Sequence, residues 1–325
     1  MNNYAKPRIV VSRCLGFDAC RYNGEMLSSD LVQSLGNHAD LVTVCPEVEI
    51  GLGTPRDPIQ IQELNGKQSL VQPSTGKKLS ASMRKFSRAW LASENEVDGF
   101  ILKSRSPSCG VRDVKIRAPE TNMILSSKGT GVFAQEVLAR FGAVTVEDEA
   151  RLSNSRIRDH FLTTVFCLAD FRRTRKQGSM RDLVAFHSRN KFVLMAYNQT
   201  AMRTMGRLVA NPDKLAVEQV YDLYGQELRN AFSRMARYTS HINVLMHGFG
   251  YYSQQLKPRE RAHYLDCLEQ YREGRMELPT LKTMMLSRIL HFDLDYLEGQ
   301  TYFQPYPEEL VLIDNKKLNR QRSLA

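Results

Sequence analysis

The chain lacks any apolar stretch of about 18 residues, the length a membrane-crossing helix requires, so nothing in its 325 residues predicts a transmembrane span. Its opening, Met1-Asn2-Asn3-Tyr4-Ala5-Lys6-Pro7, has no apolar core of the kind that marks a secretion signal. Together these features predict a cytoplasmic protein with no membrane partner. Cysteine is scarce, with six in the chain. Without an export signal, these are expected as free thiols or metal ligands rather than disulfides. No two cysteines stand in the close CxxC spacing of a zinc knuckle. There is no glycine-rich fingerprint for a flavin or nicotinamide, and no complete phosphate loop. Internal repeats and low-complexity tracts are missing as well.

What is present is a globular composition, 42% hydrophobic and 25% charged. At about 100–200 residues per domain, the length suggests two domains. The net charge of +10 is unevenly placed. Residues 1–150 carry 18 Lys and Arg against 17 Asp and Glu, whereas residues 151–325 carry 27 against 18. A basic half beside a nearly neutral one points to a polyanion-binding module, with a merely basic surface as the equal alternative.

Hydrophobic patterning divides the chain at the same place. Ile9-Val10-Val11, Leu41-Val42-Thr43-Val44, Gly99-Phe100-Ile101-Leu102 and Ala143-Val144-Thr145-Val146 read as strands. Helical spacing is seen from Glu25 to Gly36, from Ala81 to Ser93 and from Gly129-Thr130-Gly131 through Phe141. The Gly-, Pro-, Gln- and Lys-rich stretch from Gly51 to Ser80 reads as loops with a hairpin over the ligand edge. This alternation predicts an α/β, Rossmann-like domain with a mostly parallel sheet over residues 1–168. The stretch Phe171 to Ser179 reads as part of a basic linker over 169–180, and residues 181–325 as an all-α domain. A helix is expected from Arg151 to Leu168, and a turn at Gly248 and Gly250.

Three cysteines follow the predicted strands. They are Cys14 after Val10-Val11-Ser12-Arg13, Cys45 after Val42-Thr43-Val44, and Cys109 beyond Leu102-Lys103. In an open α/β sheet, ligands bind at the carboxyl ends of the strands. Three thiolates gathered there suit either a three-cysteine zinc site or a 4Fe-4S cluster with one iron left open. Gly16, Pro46 and Gly110 supply the turns that follow. Cys20 is a fourth thiol near Cys14, readable as a further ligand, a sulfur acceptor or an inert residue. Cys167 and Cys267 sit among helical apolar residues and read as core.

The pieces Ser12-Arg13-Cys14-Leu15-Gly16, Arg21-Tyr22-Asn23-Gly24, Cys45-Pro46-Glu47-Val48, Gly53-Thr54-Pro55-Arg56 and Leu102 to Gly110 resemble the thiouracil desulfidase family over about residues 7–145. Phe186 to Lys191 and Leu245 to Gly250 resemble a YbgA-type helical domain, and the fusion resembles tRNA thiouridine desulfidases. The resemblance implies a 4Fe-4S cluster held by Cys14, Cys45 and Cys109, with the open iron taking the substrate's sulfur and water replacing it without net redox change. It implies tRNA as partner and 4-thiouridine as substrate. The alternatives are a desulfidase of free thiouracil and an iron–sulfur nucleic-acid-binding regulator.

Such hydrolysis needs a carboxylate to handle protons. In an extended segment, Glu47 and Glu49 share a side with Cys45. The family pattern favours Glu49 as the catalytic group, with Glu47 orienting the loop. It also makes Ser106 an active-site serine that hydrogen-bonds the base or the leaving sulfur. Arg56, Lys103 and Arg105 cluster near the expected mouth and are candidates to meet a nucleotide phosphate. Lys128 to Gly131 opens a helix and is a weak anion site. In the second half, Arg181, His187, Arg189, Lys191, Tyr197, Arg203, Arg207, Arg234, Arg237, Tyr238 and Tyr251-Tyr252 interleave cations with aromatics, as RNA contacts would. Of these, Arg189 and Lys191 are the named candidates. His187, His241 and His247 lack metal-ligand spacing.

Overall fold

In the computed structural model of the protein, residues 4–94, 96–142 and 145–311 are described. They form two compact units. One runs up to Ala169 and takes in the segment from Tyr306, and the other is Asp170–Pro305.

The first unit contains β1 (Arg8–Ser12), α1 (Asp30–Leu35), β2 (Asp40–Val44), the helical turn α2 (Pro46–Glu49), β3 (Gln60–Leu64), β4 (Lys67–Gln72) and β5 (Lys77–Lys78). It continues through α3 (Ser80–Ser93), β6 (Gly99–Leu102), β7 (Val114–Arg117), β8 (Ile124–Gly129), α4 (Val132–Phe141) and β9 (Val146–Asp148). Four strands make a parallel sheet in the order β2-β1-β6-β9. Ile9, Val10 and Val11 are all fully buried, because a parallel strand is covered on both faces. Their side chains alternate. Val10, Phe100, Leu102 and Val146 join one core with Met83 and Leu91 of α3 and Phe133 and Val137 of α4. Ile9, Val11 and Ile101 join another with α1 and with Phe161, Leu162 and Val165 of α5 (Ser155–Gln177). A Cβ on Gly99 would stand 2.7 Å from Val165 Cγ1, so this strand position is glycine because α5 lies on it.

A second, mixed sheet runs β5-β4-β3-β7-β8. The hairpin expected between Gly51 and Ser80 is β3–β4. Its two-residue turn, Asn65-Gly66, has φ of 49° and 72°, the left-handed pair that such a turn demands. The expected helix from Glu25 is shorter, starting at Asp30, because the Leu27 amide donates to the Cys14 carbonyl at 2.9 Å and pins the preceding loop. The last strand begins at Val146, and Ala143 and Val144 lie outside the described residues.

The second unit is helical: the C-terminal part of α5, then α6 (Met180–Tyr197), α7 (Gln199–Ala210), α8 (Val217–Ala231), α9 (Tyr238–Gly250), α10 (Pro258–Arg272), α11 (Leu278–His291) and α12 (Asp295–Glu298). The expected basic linker is corrected here, since α5 continues to Gln177. Gly178, with φ of 78°, ends that helix, and Ser179 caps α6 by accepting from the Asp182 amide at 3.1 Å. The cations of the last turns of α5 oppose the negative end of the helix, and Arg175 pairs with Asp222 at 2.7 Å. Gly248 and Gly250 are also not a turn but lie in α9, where Gly248 admits Met285 Sδ and Phe192. Among the described residues no helix is long and apolar enough to cross a membrane.

Two half-buried histidines are held below the ordinary imidazole range, His160 by its burial and His187 by its burial with Lys191 adding to it. Each is therefore less ready to bind a proton folded than unfolded. Their contribution to stability is present above the unfolded pKa of about 6.5 and is lost as pH falls through the lower folded value. The thermal midpoint is expected to fall between about pH 7 and 5, and His187→Gln should flatten that slope in a pH series of melting curves.

Candidate functional site

Cys14 lies two residues past β1, Cys45 directly past β2 as the first residue before α2, and Cys109 at the close of the loop after β6. These strands are neighbours and parallel, so the three thiols come to one edge of one sheet. The chain leaves β1 toward β2 on one side and later returns to β6 on the other. The edge is therefore the switch point where open α/β sheets bind ligands. Cys14, Cys20 and Cys45 pack into the core shared with α1 and α5, and Cys109 into the core shared with α3 and α4. All four are buried.

Short bonds stitch the loops together. Arg13 N–H donates to the Val44 carbonyl at 2.9 Å, and Lys103 N–H to Ser12 Oγ at 2.9 Å. The Cys109 loop is wedged under α4, whose first amides donate to the carbonyls of Pro107 and Ser108. A Cβ on Gly131 would stand 2.4 Å from the Ser108 carbonyl oxygen. That use of the α4 N-terminus corrects the expected anion site at Lys128 to Gly131. Lys128 and Gly129 belong to β8, and the helix amides are committed to the cysteine loop.

The thiols sense one another. Burial, then Cys45, pushes Cys14 up to about 11 and Cys20 up to about 12. Cys109 is pushed up by burial, against a hydrogen bond from Ser12. Among the described residues no group of three or more His, Cys, Asp or Glu side chains is placed so that it could hold a metal ion. Cys45 nonetheless stands near enough to Cys14 and Cys109, and Cys14 near enough to Cys109, to add to their upward shift. Thiolates are soft donors, suited to iron–sulfur chemistry. On both grounds the residues fit a cluster.

Glu47 and Glu49 do not share a side in the manner of an extended chain, because Pro46–Glu49 is a helical turn. Glu47 turns inward. Its Oε1 accepts from Ser108 Oγ at 3.0 Å and Ser106 Oγ at 3.4 Å, and its Oε2 from Arg56 Nε at 2.9 Å and Nη2 at 2.5 Å. Glu49 stays partly exposed, pairs with Arg13 Nη2 at 2.6 Å, and its amide donates to the Cys45 carbonyl at 3.1 Å.

Arg56 was expected at the mouth, facing a phosphate. Its side chain is instead only 4% exposed. Besides gripping Glu47, it donates from Nη1 to the carbonyls of Cys20 at 3.0 Å and Gly53 at 2.8 Å. Its backbone amide holds the Tyr22 carbonyl at 2.8 Å. One guanidinium thus ties the loop after Cys14 to the turn after Cys45 and, through Glu47, to the serines before Cys109. The motif was visible in the sequence, but its pairing with Glu47 was not. Lys103 pairs with Glu149, which also accepts from the Ser104 amide at 2.7 Å. Arg105 is exposed. Ser106 Oγ accepts from the amides of Ser108 at 3.2 Å and Cys109 at 3.1 Å, shaping the cysteine turn.

In the helical unit, Arg189 binds Asp170 through Nε at 3.0 Å and Nη2 at 2.8 Å, and covers the Phe186 ring. Lys191 is half-buried, near enough to His187 to depress it. His187 meets the Tyr224 hydroxyl at 3.1 Å and His241 the Tyr302 hydroxyl at 3.0 Å. Tyr252 is core, whereas Tyr238 and Tyr251 are exposed. Arg181, Arg203, Arg207, Arg234 and Arg237 are exposed as well.

Comparison with known proteins divides the chain at nearly the same place. Residues 9–149 match the model of the 2-thiouracil desulfurase family. Residues 191–307 match that of a family of proteins of unknown function, DUF1722. The chain is similar to the uncharacterized protein YbgA of Escherichia coli (strain K12), 32% identical over 163 residues, which is 48% of this chain and 94% of YbgA. It is also similar to the uncharacterized protein YbbK of Bacillus subtilis (strain 168), 36% identical over 110 residues, 31% of this chain and 72% of YbbK. A solved structure, the 4Fe-4S-dependent thiouracil desulfidase TudS, shares 27% sequence identity, covering 46% of this chain and 94% of that one with a TM-score of 0.36. The chain therefore belongs to the 2-thiouracil desulfurase family through its sheet-bearing unit and to the DUF1722, YbgA-type family through its helical unit.

Proposed function

We propose that the protein is an iron–sulfur-dependent desulfidase that converts 4-thiouridine in tRNA to uridine. The observation that carries this reading is the set of three buried thiols in the segments that follow three adjacent parallel strands, with the Glu49 carboxylate held one helical turn from Cys45. Cys14, Cys45 and Cys109 would hold a 4Fe-4S cluster. When bound, that cluster supplies an iron that accepts the substrate's sulfur as a soft ligand.

The protein's own groups do the rest. Glu49, fixed by Arg13, takes a proton from the water that attacks the ring carbon. The new C–O bond replaces C–S, and sulfur leaves as hydrogen sulfide, so no electron donor or acceptor is consumed. Ser106 can trade its longest contact, the 3.4 Å bond to Glu47, for the base. The excess of 27 Lys and Arg over 18 Asp and Glu in residues 151–325 supports a polyanionic substrate.

Incubating the anaerobically reconstituted full chain with bulk tRNA should convert 4-thiouridine to uridine in a nucleoside mass spectrum. Conversion of free thiouracil alone would leave only the narrower, free-base desulfidase. Two results should accompany turnover. Raising salt should raise KM for tRNA steeply and leave that for free thiouracil nearly unchanged. Glu49→Gln should retain its iron and lose about 100-fold or more in kcat.

A further inference from the structure

The segment from Phe17 to Met26, between Cys14 and α1, carries Cys20 and three exposed apolar side chains. Phe17, Tyr22 and Met26 are 44%, 45% and 51% exposed. Single exposed apolar side chains are ordinary, and what sets Tyr22 apart is how it is held. The backbone beneath them is pinned. Gly24 N–H donates to the Arg21 carbonyl at 2.9 Å, Leu27 N–H to the Cys14 carbonyl at 2.9 Å, and Arg56 N–H to the Tyr22 carbonyl at 2.8 Å. Tyr22 is thus held two residues from a site thiol, by the same arginine that binds Glu47.

Its ring is supported on one side. The Arg21 guanidinium lies 5.8 Å from the ring centroid, and Arg21 is itself anchored to Glu25 at 2.8 Å. An aromatic ring backed by a guanidinium and still nearly half exposed offers its remaining face to a flat partner.

We propose that Tyr22, backed by Arg21, is the platform on which the substrate's heterocyclic base stacks, and is thereby a specificity-determining residue of this site. The proposal rests on the desulfidase reading for the identity of the base. The stacking geometry itself is independent of that reading.

Alanine substitution at base-stacking aromatics typically weakens binding by about 5- to 150-fold. Tyr22→Ala is expected to raise KM for free thiouracil by a factor in that range while leaving kcat within about twofold, the mark of binding lost equally in ground and transition states. Iron content should be unchanged. Equilibrium dialysis of uracil, the plain pyrimidine, should show the same loss of affinity. Tyr22→Phe should behave as the unsubstituted protein, because stacking needs the ring and not the hydroxyl. If Tyr22→Ala loses iron, Tyr22→Leu takes its place in the comparison, since it fills space without a ring face. Unchanged KM and uracil affinity in the ringless variant, or Tyr22→Phe as impaired as that variant, would overturn the proposal. Failure of the unsubstituted protein to release sulfide, with uracil binding still dependent on Tyr22, would count against the desulfidase reading and leave the platform standing.

Discussion

Arg56→Met is expected to lower the stability of the first unit by about 3–5 kcal/mol, because it leaves the Glu47 carboxylate buried without its cation. For a unit of this size that is a fall in Tm of about 6–20 °C. The damage extends beyond one ion pair. The Cys20 and Gly53 carbonyls lose their Arg56 donor, and the serines that shape the Cys109 turn are left bonded to an unpaired carboxylate. Iron content should fall with stability, since the loops bearing all three thiols are tied through this one side chain. Replacing both partners, Glu47→Gln with Arg56→Met, should recover part of the loss, because a neutral amide is far cheaper to bury than a lone charge. Melting curves and iron per chain on the two single variants and the double variant check this. A single variant as stable as the parent would show that the buried pair contributes nothing net.

The cysteines should separate into two classes. Cys14→Ala, Cys45→Ala and Cys109→Ala are each expected to abolish iron binding and turnover, since each removes one of the three proposed protein ligands. Cys20→Ala is expected to keep its iron. Cys20 lies further along the loop that Cys14 opens, and its closest partner in the site is Cys45. Losing a supporting contact of this kind costs about 10- to 100-fold in affinity or activity rather than the whole site. Iron and acid-labile sulfide counts on four anaerobically purified variants measure the difference. Loss of iron in Cys20→Ala would make it a fourth ligand and close the position the substrate needs.

The strands of the parallel sheet were legible in the sequence because they are covered on both faces, so Ile9-Val10-Val11 and Phe100-Ile101-Leu102 carry uninterrupted apolar runs. The cysteines could be placed from those runs alone. The second sheet was less legible. Its β7 is the short alternation Val114-Lys115-Ile116-Arg117, and the pairing with β8 slips in register, so the pattern is brief and irregular. Only Asn65-Gly66 announced a hairpin. The linker reading failed because cations were taken as solvated chain, whereas Arg173 pairs with Asp170 one turn back in α5, Arg175 pairs with Asp222 of α8, and only Gly178-Ser179 interrupts the helical run. Glu47 and Arg56 were each singled out, yet their pairing is a matter of tertiary approach. A cis-proline turn at Thr54-Pro55 precedes Arg56, and a helical turn, rather than an extended segment, aims Glu47 at it. Local spacing carries no record of that approach, and so Arg56 looked like a surface cation.

The most direct measurement is turnover of tRNA carrying 4-thiouridine by the anaerobically reconstituted full chain in oxygen-18 water, with no electron donor or acceptor added. Hydrolysis at a three-thiol site requires that uridine appear with the heavy oxygen at the former thiocarbonyl carbon and that hydrogen sulfide be released in equal amount. Uridine without the label, or conversion only when an oxidant or reductant is supplied, would contradict it.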